Sequence, residues 1–141
     1  MKGTFRLAVL PTIAPYLLPR FFQQLSEKHT DLDIRMLEMK TAPTMAALQN
    51  GEIDAAIIAN QPTESYLQGD ILYYEQFFGY VAHNESIFKK DLIRTADIND
   101  ERLWLLDEGH CFRDQLMRFC QMEKVKVRQA AYRLGSLETF M

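Results

Sequence analysis

An α/β architecture with a parallel sheet is the fold class this sequence predicts, and three features of its first sixty residues predict it. Short apolar runs of strand length recur three times. Amphipathic stretches of helix length fall between them, and turn residues punctuate the junctions. The order strand, helix, strand, helix, strand requires right-handed βαβ crossovers and a parallel sheet covered on both faces.

Residues 4–10 (TFRLAVL) are rich in strand formers and short enough for a buried strand. Pro11-Thr12-Ile13-Ala14-Pro15 turns the chain, and Leu17, Leu18, Phe21, Phe22 and Leu25 then recur at helical spacing to about Lys28. Pro19 is expected in the first turn of that helix, where a missing N–H is tolerated. Residues 31–38 alternate Leu32, Ile34 and Met36 against Asp33 and Arg35, which predicts a second strand. Thr41 is a candidate N-cap for a second helix carrying Met45, Ala46 and Leu48, with Gly51 as its stop. Residues 53–59 (IDAAIIA) are a third, buried strand. Beyond them the pattern predicts a long strand over 70–83 bending at Gly79, a strand over 102–106, a helix from Phe112 to about Gln121, and a strand over 129–134. The aromatic group Tyr73, Tyr74, Phe77, Phe78 and Tyr80 is expected to be core plus sheet edge, or a subunit contact. Gly135-Ser136-Leu137-Glu138 reads as a turn opening a further helix, which suggests that the 141 residues stop inside a larger fold.

The chain is 48% hydrophobic and 25% charged with a formal net charge of −3, ordinary globular composition. The acidic balance argues against a nucleic-acid-gripping face in this segment. No apolar run approaches the roughly 18–20 residues that span a bilayer, so no membrane partner is expected. With two cysteines and no secretory leader, a cytoplasmic setting with reduced thiols is the default. His29 and His83 lack spaced partners, and no CxxC, HxxxH, GxGxxG or P-loop occurs, so neither metal nor cofactor is expected. The run Lys124, Lys126, Arg128 is expected to be a solvated loop, and the seven methionines to be core filling.

Cys111 carries the most chemical information. It sits in Asp107-Glu108-Gly109-His110-Cys111-Phe112-Arg113-Asp114, at a strand-to-helix turn. A thiol at a helix N-terminus feels the positive end of the helix dipole, and His110 and Arg113 add donor or positive groups that favour the thiolate. Glu108 and Asp114 push the other way, and an inert buried cysteine is the plain alternative. Cys120 lies nine positions further on the same predicted helix. At helical rise and twist the two Cα atoms are about 13 Å apart on opposite faces, whereas a disulfide needs them within about 7 Å. The pair cannot bond while the helix stands; if it bonds, the helix unwinds and oxidation becomes a conformational switch. Cys120 as simple core, beside Leu116 and Phe119, is the alternative. Thr12 and Thr41 follow strands, where a parallel sheet opens its ligand crevice; each hydroxyl can hold a small polar molecule or cap its own helix.

The sequence resembles OxyR-type regulators of the LysR family. Leu10-Pro11-Thr12 with Pro15-Tyr16-Leu17-Leu18-Pro19 is similar to the start of their effector-binding domain, and Gly51-Glu52-Ile53-Asp54-Ala55-Ala56-Ile57-Ile58-Ala59 is a general LysR-type segment. The run Leu106-Asp107-Glu108-Gly109-His110-Cys111-Phe112-Arg113-Asp114-Gln115 with Phe119-Cys120 resembles the sensor loop almost residue for residue, and Ser136-Leu137-Glu138-Thr139 fits as well. The resemblance implies a periplasmic-binding-protein-like regulatory domain of two subdomains, incomplete at its C-terminus. Residues 1–79 would form the first half of subdomain I, and 80–141 the N-terminal part of subdomain II. It implies Cys111 as the peroxidatic thiol, Cys120 as the resolving thiol that closes a Cys111–Cys120 disulfide, and Thr12, Thr41 and His110 as the pocket for hydrogen peroxide or an ordered water. Arg113 would support the thiolate, and a further arginine that does so in the family would lie beyond Met141.

The partners implied are hydrogen peroxide, a second copy in a dimer through this domain, a tetramer of the full regulator, and a thiol reductant such as glutaredoxin or thioredoxin. DNA and RNA polymerase would be met only through the full-length protein, since no helix-turn-helix is present here. The resemblance makes the chain a sensor and not an enzyme. Two competing readings are a LysR-type domain that binds a small metabolite in the same crevice, and a thiol peroxidase that turns over. The peroxiredoxin placing of a Thr two residues before the reactive Cys is absent, since Gly109 and His110 precede Cys111.

Overall fold

Parallel pairing of three strands organises the computed structural model, which describes residues 3–60, 62, 64–98, 103–106 and 110–121. The elements are β1 (Gly3–Val9), α1 (Ala14–Lys28), β2 (Leu32–Glu38), α2 (Thr41–Gln49), β3 (Ala55–Ile57), a 3-10 turn (Thr95–Asp97) and α3 (Cys111–Phe119). The strand order is β2-β1-β3, all parallel, with Gly3 opposite Leu32 and Val9 opposite Glu38 on one side, and Leu7 opposite Ala55 on the other.

β1 is the central strand, and both of its faces are covered. Leu7 and Val9 pack with Ala14, Leu18 and Phe21 of α1; Ala8, between them, packs on the other face with Ala47 of α2 and Ile53. That is why Leu7, Ala8 and Val9 form an unbroken apolar run and not an alternating one. Burying such side chains stabilises the sheet by about 1.5–3 kcal/mol for each large one. Asp54 ties the start of β3 to β1 twice: its carboxylate accepts the Arg6 N–H at 2.7 Å and its own N–H donates to the Arg6 carbonyl at 2.9 Å.

The first five elements appear as the sequence predicts, with β1 shifted by one residue and β2 and β3 shorter. α1 differs in one respect. The Leu10 carbonyl accepts the N–H groups of Ile13 and Ala14, so the helix starts early and Pro15, not Pro19, occupies its first turn. Pro19 is interior and deletes one helical hydrogen bond; both prolines are exposed, so water can replace the missing donor. α2 ends in a Schellman motif: Gly51 N–H donates to Leu48 O at 3.2 Å, Glu52 N–H to Ala47 O at 2.9 Å, and Gly51 has φ of 69°.

The second half departs further. The expected strands over 70–83 and 102–106 are absent among the described residues, because no neighbouring strand supplies a ladder. Tyr74, Phe78 and Tyr80 are 87%, 86% and 85% exposed, not core. At the expected bend, an added Cβ on Gly79 would meet Ile93 Cδ1 at 2.6 Å. Leu105 and Leu106 are buried without being in a strand. The expected strand over 129–134, the turn at 135–138 and the basic run at 124–128 lie outside the described residues. Among the described residues no helix is long and apolar enough to cross a membrane.

Gly51→Ala forces an L side chain into left-handed backbone and is expected to destabilise the fold by about 1–2 kcal/mol, read as a lower urea midpoint at unchanged slope.

Candidate functional site

Because β1 lies between β2 and β3, the connections leave it toward opposite sides, and a crevice opens at the carboxyl ends of the strands. Three loops meet there: residues 10–13 after β1, 39–40 after β2 and 58–60 after β3. Thr12 stands in the first and Asn60 in the third, while Thr41 opens α2 directly after the second. α3 is brought to this edge by Gln115, whose Nε2 donates to the Ala59 carbonyl at 3.2 Å and to Asn60 Oδ1. An open groove results, lined by Thr12, Tyr16, Asn60, Cys111, Phe112 and Gln115 among others.

Cys111 is the first residue of α3 and only 5% exposed. His110 is its N-cap, 4% exposed, and its carbonyl accepts the N–H of Arg113 at 3.1 Å. The expectation that Thr41 caps α2 does not hold. Lys40 is the cap residue, and Thr41 sits one position inside, its buried hydroxyl making no hydrogen bond of ordinary geometry. That hydroxyl lies beside the Cys111 sulfur, where its dipole favours the thiolate. Thr44, which carries no sequence signal for the role, takes the local backbone bond: its hydroxyl donates to the Lys40 carbonyl at 2.9 Å, and the residue is 1% exposed.

Burial pushes the Cys111 thiol above its ordinary pKa, and the negative charge of Asp114 adds to this. The Thr41 hydroxyl and the backbone N–H groups of Phe112 and Cys111 pull it down without overcoming the burial. The helix N-terminus therefore acts in the expected direction, and desolvation outweighs it. Arg113 directs Nη1 to the Leu106 carbonyl at 3.2 Å and is not among the groups that shift the Cys111 thiol. Glu108 lies outside the described residues.

Cys120 is the C-cap of α3, its N–H donating to Leu116 O at 2.9 Å, and partial burial raises its thiol pKa. Both cysteines are unbridged. With α3 wound between them their Cα atoms stand about 13 Å apart, beyond the roughly 7 Å a disulfide allows. The structure thus gathers Thr12, Thr41, His110 and Cys111 at one edge of the sheet and holds Cys120 away from Cys111. Gln115 and Asn60 were not foreseen as site residues. The signals for Gln115 are its place in the run that resembles the sensor loop and its position four residues after Cys111, on the same helical face. Among the described residues no group of three or more His, Cys, Asp or Glu could hold a metal ion.

The family model described as LysR substrate binding domain matches residues 1–141. The chain is 35% identical over 140 residues to a probable hydrogen peroxide-inducible genes activator of Mycobacterium leprae, covering 99% of this chain and 45% of that protein. It is 30% identical to the DNA-binding transcriptional dual regulator OxyR of Escherichia coli K12, with the same coverage of each. Among solved structures, OxyR from Porphyromonas gingivalis matches with a TM-score of 0.84 at 54% identity, over 99% of this chain and 64% of that one. A hydrogen-peroxide-bound cysteine mutant of OxyR from Corynebacterium glutamicum matches with a TM-score of 0.79 at 26% identity, over 99% of this chain and 44% of that one. The chain spans less than half the length of the curated relatives it matches.

A raised Cys111 pKa means that the neutral thiol is the form favoured by folding. Its contribution to stability is whole below about pH 8.5, the ordinary thiol value, and is lost as pH rises through the raised folded value. Alkylation of Cys111 in the folded protein is expected to accelerate with pH beyond that ordinary value. Thr41→Val, which removes the hydroxyl, should move the profile to still higher pH and slow alkylation at neutral pH. A profile unchanged by Thr41→Val would show that the hydroxyl does not act on the sulfur.

Proposed function

The chain belongs to the LysR substrate-binding domain family, an α/β domain of periplasmic-binding-protein type, and from that premise we propose that it is the peroxide-sensing regulatory domain of a transcriptional regulator. One observation carries the reading: a buried thiol, Cys111, faces the Thr41 hydroxyl and lines one groove with Thr12, while a second unbridged cysteine closes the other end of the same helix. The names of the relatives, hydrogen peroxide-inducible genes activator and OxyR, support it.

In this reading the Cys111 thiolate attacks one peroxide oxygen. The O–O bond breaks, sulfur loses two electrons to become a sulfenic acid, and the departing hydroxide takes up a proton as water. The Thr41 hydroxyl and the first N–H groups of α3 stabilise the anionic sulfur; Thr12 and His110 complete the pocket that orients the peroxide. The Cys120 thiolate then attacks the Cys111 sulfur, the S–S bond forms, and the sulfenic hydroxyl leaves as water. α3 has to unwind for this, which turns a local oxidation into a change of shape. Arg113, bonded to the Leu106 carbonyl, ties α3 to the residues before the sensor loop.

The rest of the reading concerns the regulator that contains this chain. Residues 1–79 contribute to one subdomain and 80–141 to a second, the regulator acts in the cytoplasm, and copies of this domain pair within a tetramer. DNA and RNA polymerase are engaged through other parts of the protein, and a thiol reductant such as glutaredoxin or thioredoxin resets the disulfide. The domain senses and does not turn over. The breadth of the groove, which extends from Thr12 past Tyr66 to Phe77, favours a second reading in which a small metabolite is the effector.

The test is mass spectrometry on the full-length regulator after one equivalent of hydrogen peroxide. Rapid loss of two hydrogens, mapped to a Cys111–Cys120 peptide and abolished by Cys111→Ser, is the expected outcome. If both thiols stay reduced, the peroxide reading fails, and thermal stabilisation by small polar metabolites becomes the measurement that decides for the effector reading.

A further inference from the structure

One face of α3 is defined by spacing. Phe112 and Phe119 are seven residues apart, two helical turns, and so lie on one stripe with Gln115 between them. Both rings meet a single partner, Phe77, which lies in the extended segment after β3. The Phe77 and Phe112 centroids are 5.4 Å apart with the rings tilted at 43°, and those of Phe77 and Phe119 are 6.3 Å apart and nearly parallel, at 15°. Phe112 directly follows Cys111, and Phe119 directly precedes Cys120. One ring thus grips the helix beside each of the two thiols, while Gln115 fastens its middle to Ala59 and Asn60.

From this we propose that Phe77 is a positioning residue: its ring keeps α3 wound, and with it the two cysteines apart, so that releasing Phe112 and Phe119 is a required part of disulfide closure. Phe112 and Phe119 reach the same ring only while two intact turns separate them. Closing the Cα atoms of Cys111 and Cys120 from about 13 Å to within about 7 Å removes those turns, and with them the helical spacing that sets both rings against Phe77. The contacts exist in the reduced form and are lost on oxidation; they therefore favour the dithiol and raise the reduction potential. The switching role rests on the peroxide reading above; the restraint on α3 does not.

The experiment compares wild type, Phe77→Leu and Phe77→Tyr in the full-length protein. Leucine keeps apolar bulk and loses the ring contacts, whereas tyrosine keeps them. In the reduced protein, amide hydrogen exchange of residues 115–119 should be about tenfold faster in Phe77→Leu, from the loss of two aromatic pairs, with β1 unchanged and Phe77→Tyr like wild type. After peroxide, closure to the disulfide should be about tenfold faster relative to sulfenic acid formation at Cys111 in the same protein, and the reduction potential lower by about 30 mV, the equivalent of tenfold for a two-electron couple. Exchange in α3 that matches wild type in Phe77→Leu would overturn the proposal, as would equal acceleration in β1, which marks general destabilisation. So would faster exchange with closure rate and potential unaltered. If wild type forms no Cys111–Cys120 disulfide, the peroxide reading falls, and the exchange data alone decide whether Phe77 restrains α3.

Discussion

Burial of β1 on both faces is the constraint on which the rest depends. A central parallel strand needs a helix on each side, and Leu7, Ala8 and Val9 meet that need with side chains directed alternately at α1 and α2. The same arrangement leaves β2 and β3 on opposite flanks, so the chain must depart from the sheet in two directions. The space between those departures is where Thr12, Thr41 and Asn60 collect, and where α3 docks through Gln115. The site is thus a by-product of sheet topology, and its residues need little structure of their own beyond short loops.

The electrostatics of Cys111 follow from that docking. A thiol brought under a helix and against the sheet edge loses water, and the loss disfavours the anion more than one hydroxyl and two N–H groups restore it. The helix dipole acts in the direction its place in the sequence implies and is outweighed by desolvation. Burial is a property of the assembled edge, contributed by residues far apart in the chain, and nothing within a few positions of Cys111 encodes it. Protection and reactivity are in tension here: the desolvation that shields the sulfur also holds it protonated, and the Thr41 hydroxyl, unengaged by its own helix, is the side chain that offsets this.

The legible parts of the fold were those with local signals. Three apolar runs, two amphipathic stretches and the Gly51 stop were readable because periodicity and left-handed backbone leave marks within a few residues. Pro19 is interior because the Leu10 carbonyl starts the helix early and leaves Pro15 in its first turn, a start that no local sequence signal marks. Residues 70–83 depart for a different reason. Their aromatic content has strand propensity, yet a strand is defined by its neighbour, and none pairs with this segment among the described residues. Thr12 and Thr41 are legible as candidates for one crevice from their places after strands, and Cys111 as a candidate from its place at a helix N-terminus and from the sensor-loop resemblance. Asn60 is not, because its role is to receive Gln115 across 55 residues of sequence.

α3 shows how a short helix can act as a distance gauge. Nine residues from Cys111 to Phe119, with Cys120 as the cap, give a span that depends only on whether the turns are formed. A helix this short is not self-sustaining in water, where nucleation outweighs the few hydrogen bonds gained. Its persistence therefore depends on contacts outside itself: Gln115 to the end of β3, Arg113 to Leu106, and Phe112 and Phe119 to Phe77. Each of those partners lies in irregular chain and not in the sheet core. α3 can then unwind by breaking contacts at the edge while Leu7, Ala8 and Val9 stay packed. For the switch proposed above, an intrinsically stable helix would hold the thiols apart too firmly, and one without these edge contacts would not hold them apart.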